Sequence, residues 1–163
     1  MLSRVLPIFQ IVISIVPFLV YTEFYFLILT FCLPKVVSAT TCYSLFGILG
    51  LMALLSIVSM IESVVTVGHI SKIRRGDVSK HHTYPQITII ALHIIIFLIN
   101  VVMIGITLFI KDYSFVDGIW WGYFGAAVYE MILIILAVKI MKDISEAVSE
   151  GEYARLVDVS IKI

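Results

Sequence analysis

Five polar side chains, Glu23, Glu62, His93, Asn100 and Glu130, stand inside stretches that are otherwise almost wholly apolar. An acidic group at the centre of a bilayer costs about 2.5–3.5 kcal/mol on insertion scales, so each should face another helix, a partner or water rather than lipid. The chemistry such a set offers is charge handling. An imidazole titrates near neutrality and, beside carboxylates, takes up and hands on a proton. Depth follows from counting ~1.5 Å per residue inward from the ends of each apolar stretch. On that count Glu62 and His93 come level across the second and third stretches, and Asn100 and Glu130 come level near mid-depth across the third and fourth. The expected contacts are a Glu62–His93 carboxylate–imidazole pair and an Asn100–Glu130 amide–carboxyl bond. Glu23 shares its depth with no basic residue, which makes it the natural docking point for a larger membrane partner.

Helical periodicity extends these points into faces, because residues three, four or seven apart lie on one side of a helix. Gln10, Ser14, Pro17 and Tyr21 share a face in the first stretch, where Pro17 is expected to bend the helix and free a carbonyl for another partner. Ser59, Glu62, Thr66 and His69 share one in the second, and His93, Asn100 and Thr107 one in the third. In the fourth, Gly118, Gly122 and Ala126 lead to Glu130 at four-residue spacing, a flat ridge on which a second helix backbone can pack closely. Gly47 and Gly50 offer a reciprocal notch.

The elements that must position these groups are set by composition. Of 163 residues, 61% are hydrophobic and 13% charged, against roughly 45–50% and 25% in soluble domains. The apolar residues fall in four blocks, 5–33, 43–70, 86–110 and 118–141, each longer than the roughly 20 residues that cross the hydrocarbon. The fold class expected is an all-α integral membrane protein, a compact left-handed bundle of four transmembrane helices forming one domain over residues 1–163, with a short tail at 142–163. A separate aqueous domain has no room. The first block far exceeds the 7–15 residues of a signal-peptide core and contains Pro17 and Glu23, so it is read as a retained span.

The connection 71–85 carries Lys72, Arg74, Arg75 and Lys80 and is the most basic segment. Arg4, Lys142, Arg155 and Lys162 fall on the same side, leaving Lys35 and Lys111 on the other. The positive-inside rule therefore places both termini in the cytoplasm. Trp120, Trp121, Tyr113, Tyr21 and Tyr25 lie toward the opposite interface, where amphipathic rings anchor helices. Cys32 and Cys42 flank the first outer connection on the side where disulfides persist, and a Cys32–Cys42 bridge is expected there. After Lys142 the pattern suggests a short amphipathic continuation ending at Gly151. The terminus Ile161-Lys162-Ile163 has the alternation that a strand-accepting cytoplasmic scaffold recognises.

No nucleophile elbow, phosphate-binding glycine loop or cofactor motif is present. His81-His82 is not a metal signature without further ligands. A zero formal net charge and the lack of a basic cluster with stacking aromatics give no support to nucleic-acid binding. The layout is broadly similar to that of small tetraspan junction components and accessory subunits. The first outer connection lacks the Trp and paired-Cys framework of claudin-like proteins, and the second lacks the cysteine-rich domain of tetraspanins. The expected function is structural or accessory: lateral packing with itself or with a larger membrane protein, in the plasma membrane or a secretory-pathway membrane, in contact with lipid. The alternative is an oligomeric ion or proton channel or transporter built on the intramembrane Glu, His and Asn residues. A third class, an enzyme acting on lipid within the bilayer, is kept behind these two, with no cofactor or metal implied.

Overall fold

A computed structural model describes residues 5–32, 39–77, 79–109 and 119–161. Four helices carry nearly all of them: α1 (Val5–Cys32), α2 (Ala39–Ile73), α3 (Tyr84–Phe109) and α4 (Ile119–Ile161). Each contains a window apolar and long enough to cross a membrane, as the four blocks required. The chain is a multi-pass integral membrane protein. Large apolar side chains cover its outside, among them Val12, Leu54, Leu98 and Ile135, which only a hydrocarbon solvent tolerates around a complete bundle.

The helices pack in ring order, α1 on α2, α2 on α3, α3 on α4 and α4 back on α1. The α3–α4 and α1–α2 contacts are the most extensive, and α1–α4 is sparser. The inward positions follow a strict alternation of three and four residues. On α2 they are Leu45, Leu49, Met52, Ser56, Ser59, Ser63, Thr66, Ile70 and Ile73, and on α3 Gln86, Ile89, His93, Ile96, Asn100, Met103 and Thr107. This 3.5-residue spacing keeps one seam of a long helix turned toward its neighbours.

Two apolar clusters close the bundle at its ends. Toward the α1–α2 connection, Ile28, Leu45, Leu49, Met52, Met103 and Tyr123 interlock with Tyr21 and Ile96. At the end bearing the basic connection, Ile70 and Ile73 of α2 pack on Ile140, Ile144 and Val148 of α4. The seam between them is largely polar.

The basic connection is tightly turned. Gly76 takes φ 92°, a left-handed conformation that glycine adopts without steric cost. The turn caps α2 through Gly76 N–H to Ile73 C=O at 2.9 Å and Asp77 N–H to Lys72 C=O at 3.2 Å. Ser79 then receives the His81 N–H at 3.3 Å and opens a 3-10 turn, Lys80–Thr83, that leads into α3.

Several expectations change. Gly151 does not end α4, which continues as helix to Ile161; over 43 residues it is ~65 Å long and reaches well past the bilayer. The alternating terminus is thus helical up to Ile161, and Lys162 and Ile163 lie outside the described residues. The expected Cys32–Cys42 bridge falls on the Cys32 side chain, which lies outside the described residues. What the structure shows between α1 and α2 is apolar interlocking, as in Tyr25 against Phe46 with ring centroids 4.8 Å apart. Lys35, Lys111, Tyr113 and Gly118 also lie outside the described residues.

Candidate functional site

Pro17 sits inside α1 and has no N–H to give the carbonyl four residues earlier, that of Ile13. The freed carbonyl expected from the sequence has a defined partner: the Tyr129 hydroxyl of α4 donates to Ile13 C=O at 3.0 Å. One residue on from Tyr129, Glu130 turns into the seam and is completely buried.

Glu130 is where a chain of hydrogen bonds from all four helices converges. Its Oε1 accepts from the Tyr21 hydroxyl of α1 at 2.9 Å, and its Oε2 lies 2.5 Å from His93 Nδ1 of α3. The other ring nitrogen, His93 Nε2, lies 2.7 Å from Ser59 Oγ of α2. The Tyr21 hydroxyl in turn accepts from Asn100 Nδ2 at 2.9 Å, and the same amide nitrogen donates to Ile96 C=O at 3.0 Å. Hydrogen-bonding groups on both sides thus point at one carboxyl, and Tyr21, Ser59, His93, Asn100 and Glu130 are all at most 1% exposed.

A second layer lies two helical turns toward the basic end. Gln10 of α1 and Gln86 of α3 exchange amide hydrogen bonds at 3.1 and 3.3 Å. Gln86 Nε2 also donates to Thr66 Oγ1 of α2 at 2.8 Å, and Thr66 donates to Glu62 C=O. From Gln86 to Asn100 the polar seam covers ~21 Å of α3, about two thirds of the ~30 Å hydrocarbon thickness. Buried atoms of the four helices with no hydrogen-bond partner among the described residues are Ser14 Oγ, His69 Nδ1, Asn100 Oδ1 and the Tyr123 hydroxyl.

The two pairings expected from the sequence are both revised. His93 pairs with Glu130 rather than Glu62, because the inward seam of α2 passes through Ser59, Ser63 and Thr66 and leaves Glu62 half-buried beside it. Asn100 and Glu130 meet through the Tyr21 hydroxyl instead of directly. Tyr21 is therefore a member of the core rather than an interfacial anchor. Trp121 and Tyr25 do face outward. Glu23 is exposed on the lipid side of α1 and takes no part in the cluster. Gln86 stands at the edge of an apolar block, where a polar residue is unremarkable, and only its position seven residues before His93 on the same face ties it to the seam.

The glycine ridge of α4 meets α1 within the same chain. A Cβ added at Gly122 would land on the Phe24 ring, and Ala126 packs against the apolar cluster beside it. Gly47 and Gly50 face open space, so they form no notch. Beside Tyr21 and Glu130, α1 and α4 part to leave a groove of ≈ 240 Å³ whose lining includes Val16, Pro17, Val20, Trp121 and Gly125.

At the basic end His82 is nearly buried, with its ring centroid 4.8 Å from that of His69 and its Nε2 3.4 Å from Asp77 Oδ2. Among the described residues, no three His, Cys, Asp or Glu side chains gather as a metal-binding group. The architecture is that of a four-helix membrane bundle with an ionisable pair at its centre. Compared with protein-family models, curated proteins and solved structures, the chain matches none of them.

Proposed function

We propose that the protein is a membrane transporter or conductor of protons or other cations, with His93 and Glu130 as its charge-handling centre. One observation carries this reading: a carboxyl and an imidazole, both essentially inaccessible to water, lie in hydrogen-bonding contact at the core of the bundle. Stability alone offers little reason for such a pair. Interhelical polar contacts in membranes average about 0.6 kcal/mol, and a buried ion pair is commonly matched by well-packed apolar residues. Intramembrane ionisable groups of this kind are typical of proton relays and ion paths.

The surrounding groups suit a site that changes its proton count. With one proton shared, the pair is neutral as Glu⁻ and His⁺, and both ring N–H groups donate, to Glu130 and to Ser59. With that proton gone, neutral His93 keeps its Nδ1–H toward Glu130 and Nε2 accepts from the Ser59 hydroxyl. A serine serves either state because its hydroxyl both donates and accepts. Asn100 Oδ1, an acceptor left open beside Tyr21, is a place for a proton carrier to enter. The topology assigned to this reading has both termini in the cytoplasm, a left-handed supercoil as the 3.5-residue spacing favours, and a plasma or secretory-pathway membrane. Oligomers would complete the wall around the path.

The test is proton flux in vesicles loaded with a pH-sensitive dye and driven by a potassium diffusion potential. The purified protein is expected to accelerate acidification over protein-free vesicles. Glu130→Gln and His93→Gln should remove that acceleration while eluting from a sizing column as the native protein does. Flux equal to that of blank vesicles, or retained in Glu130→Gln, overturns the reading.

A second reading, lateral association with a larger membrane protein, is favoured by Glu23 alone. A carboxyl exposed on the lipid face of α1 is costly until a basic or hydroxyl group on another helix meets it. Glu23→Leu would then lose a copurifying chain that the native protein retains.

A further inference from the structure

We propose that the groove between α1 and α4 binds a small lipophilic ammonium ion, which enters from the bilayer and takes Glu130 in exchange for the proton that His93 and Glu130 share. This deepens the preceding reading and rests on it, since it names the cation class that the same centre would exchange.

The groove has the shape and polarity for such a ligand. Val16, Val20 and Trp121 give it apolar and aromatic walls, and the fully buried Tyr21 and Glu130 close its inner end. Trp121 is 60% exposed and stacks on Trp120 with ring centroids 3.9 Å apart, so an aromatic surface flanks the groove and adds apolar contact for an aryl group. At ≈ 240 Å³ the space lies below the roughly 300 Å³ at which drug-sized sites begin, a size that fits an arylalkylamine. Tyr129, the remaining polar side chain of the lining, is committed through its hydroxyl to Ile13 C=O. Glu130 is therefore the acidic group available to an incoming charge.

Charge balance selects a cation that exchanges with a proton. Losing the shared proton leaves the pair at −1, away from water, a state that needs a compensating charge. An ammonium N–H donating to the Glu130 carboxylate supplies it, and His93 stays neutral with its Nδ1–H still on Glu130. The site holds one compensating positive charge before and after. No covalent bond forms or breaks other than those to the transferred proton, which leaves to bulk water.

Gly125 provides the steric control. A Cβ there meets nothing within 4 Å, whereas at Gly122 it strikes Phe24. Gly125→Leu thus adds bulk to the groove lining from a Cβ that touches no described neighbour. The experiment is calorimetric titration of the intact protein in detergent with phenethylamine, repeated in two buffers of different ionisation enthalpy to count protons. Saturable binding with release of about one proton per amine is expected, while the uncharged isostere phenethyl alcohol should release none. Gly125→Leu should weaken amine binding at least tenfold while keeping the native elution volume and unfolding midpoint, and Glu130→Gln should abolish the proton release. Binding without proton release, no binding, or binding indifferent to Gly125→Leu overturns the proposal. If amine binds with proton release while vesicles show no proton flux either without amine or with an amine gradient, the transport reading fails and the site stands. Proton flux without amine binding overturns the amine site and leaves the transport reading standing.

Discussion

The Pro17–Ile13–Tyr129 contact makes a quantitative prediction about how α1 and α4 are held beside the groove. In the native chain Pro17 cannot donate to Ile13 C=O, and the Tyr129 hydroxyl does so across the helix pair. Tyr129→Phe removes the donor and leaves a half-buried carbonyl unsatisfied. Measured membrane hydrogen bonds average about 0.6 kcal/mol and reach about 1.7; a carbonyl with no alternative donor belongs in the upper part of that range, so a loss of about 1 kcal/mol is expected. In a Pro17→Ala background the N–H of residue 17 reaches Ile13 C=O and restores the helical bond. Tyr129→Phe should then cost close to nothing, giving a coupling of about 1 kcal/mol in the double-mutant cycle. The assay is reversible unfolding in mixed micelles by increasing SDS fraction, followed through Trp120 and Trp121 emission. Equal costs of Tyr129→Phe in both backgrounds would show that the hydroxyl does not replace the missing helical donor.

The two α4 glycines should separate cleanly. Gly122→Ala must displace the Phe24 ring and is expected to cost roughly 1–3 kcal/mol, whereas Gly125→Ala should be neutral or stabilising by up to about 1 kcal/mol; thermal unfolding followed by far-ultraviolet circular dichroism in detergent reads both. Gln86→Leu strands the amide of Gln10 and should cost about 1–3 kcal/mol, while the Gln10→Leu/Gln86→Leu double variant should recover most of it, because replacing both partners removes the unsatisfied groups. The same unfolding titration decides, and a double variant weaker than the single would contradict the reciprocal bonding. Glu62→Gln should leave vesicle proton flux within about twofold of native, since its carboxyl stands beside the seam; a large loss would place Glu62 on the path.

Much of the fold was legible because membrane spans are written in composition. The four apolar blocks became four helices, and the faces read from three- and four-residue spacing hold on α1, where Gln10, Ser14, Pro17 and Tyr21 all turn inward, and on α3, where His93, Asn100 and Thr107 do, but not on α2, where Glu62 and His69 fall beside the seam. Helix ends were less legible, as Gly151 shows. A glycine only stops a helix where the chain gains from turning, and there the spacing of Ile140, Ile144 and Val148 carries α4 onward against α2. Pairing across helices was the hardest to read. Depth counting put His93 level with Glu62, but a partner also depends on the rotation of each helix about its axis. On α2 that rotation favours Ser59 over Glu62, a choice that becomes visible only when the whole seam from Leu45 to Ile73 is laid out. Tyr21 was misplaced for a related reason, because an aromatic with a hydroxyl suits an interface and a polar core equally well.

The arrangement of polar and apolar layers constrains how the centre could work. A water-filled pore along the axis would have to pass Ile28, Leu45, Leu49, Met52 and Met103 on one side of the polar seam, and Ile70, Ile73, Ile140 and Ile144 on the other. Hydrophobic layers of this kind disfavour water. The α1–α4 groove runs sideways and reaches Tyr21 and Glu130 directly. It lies along the sparser helix contact, where Pro17 replaces a rigid backbone bond with a single tyrosine hydroxyl. Entry from the side, rather than conduction along the axis, is the route this geometry supports for any charge exchanged at Glu130. Separation of α1 from α4, with the Tyr129 bond as its latch, is then the motion that would widen it.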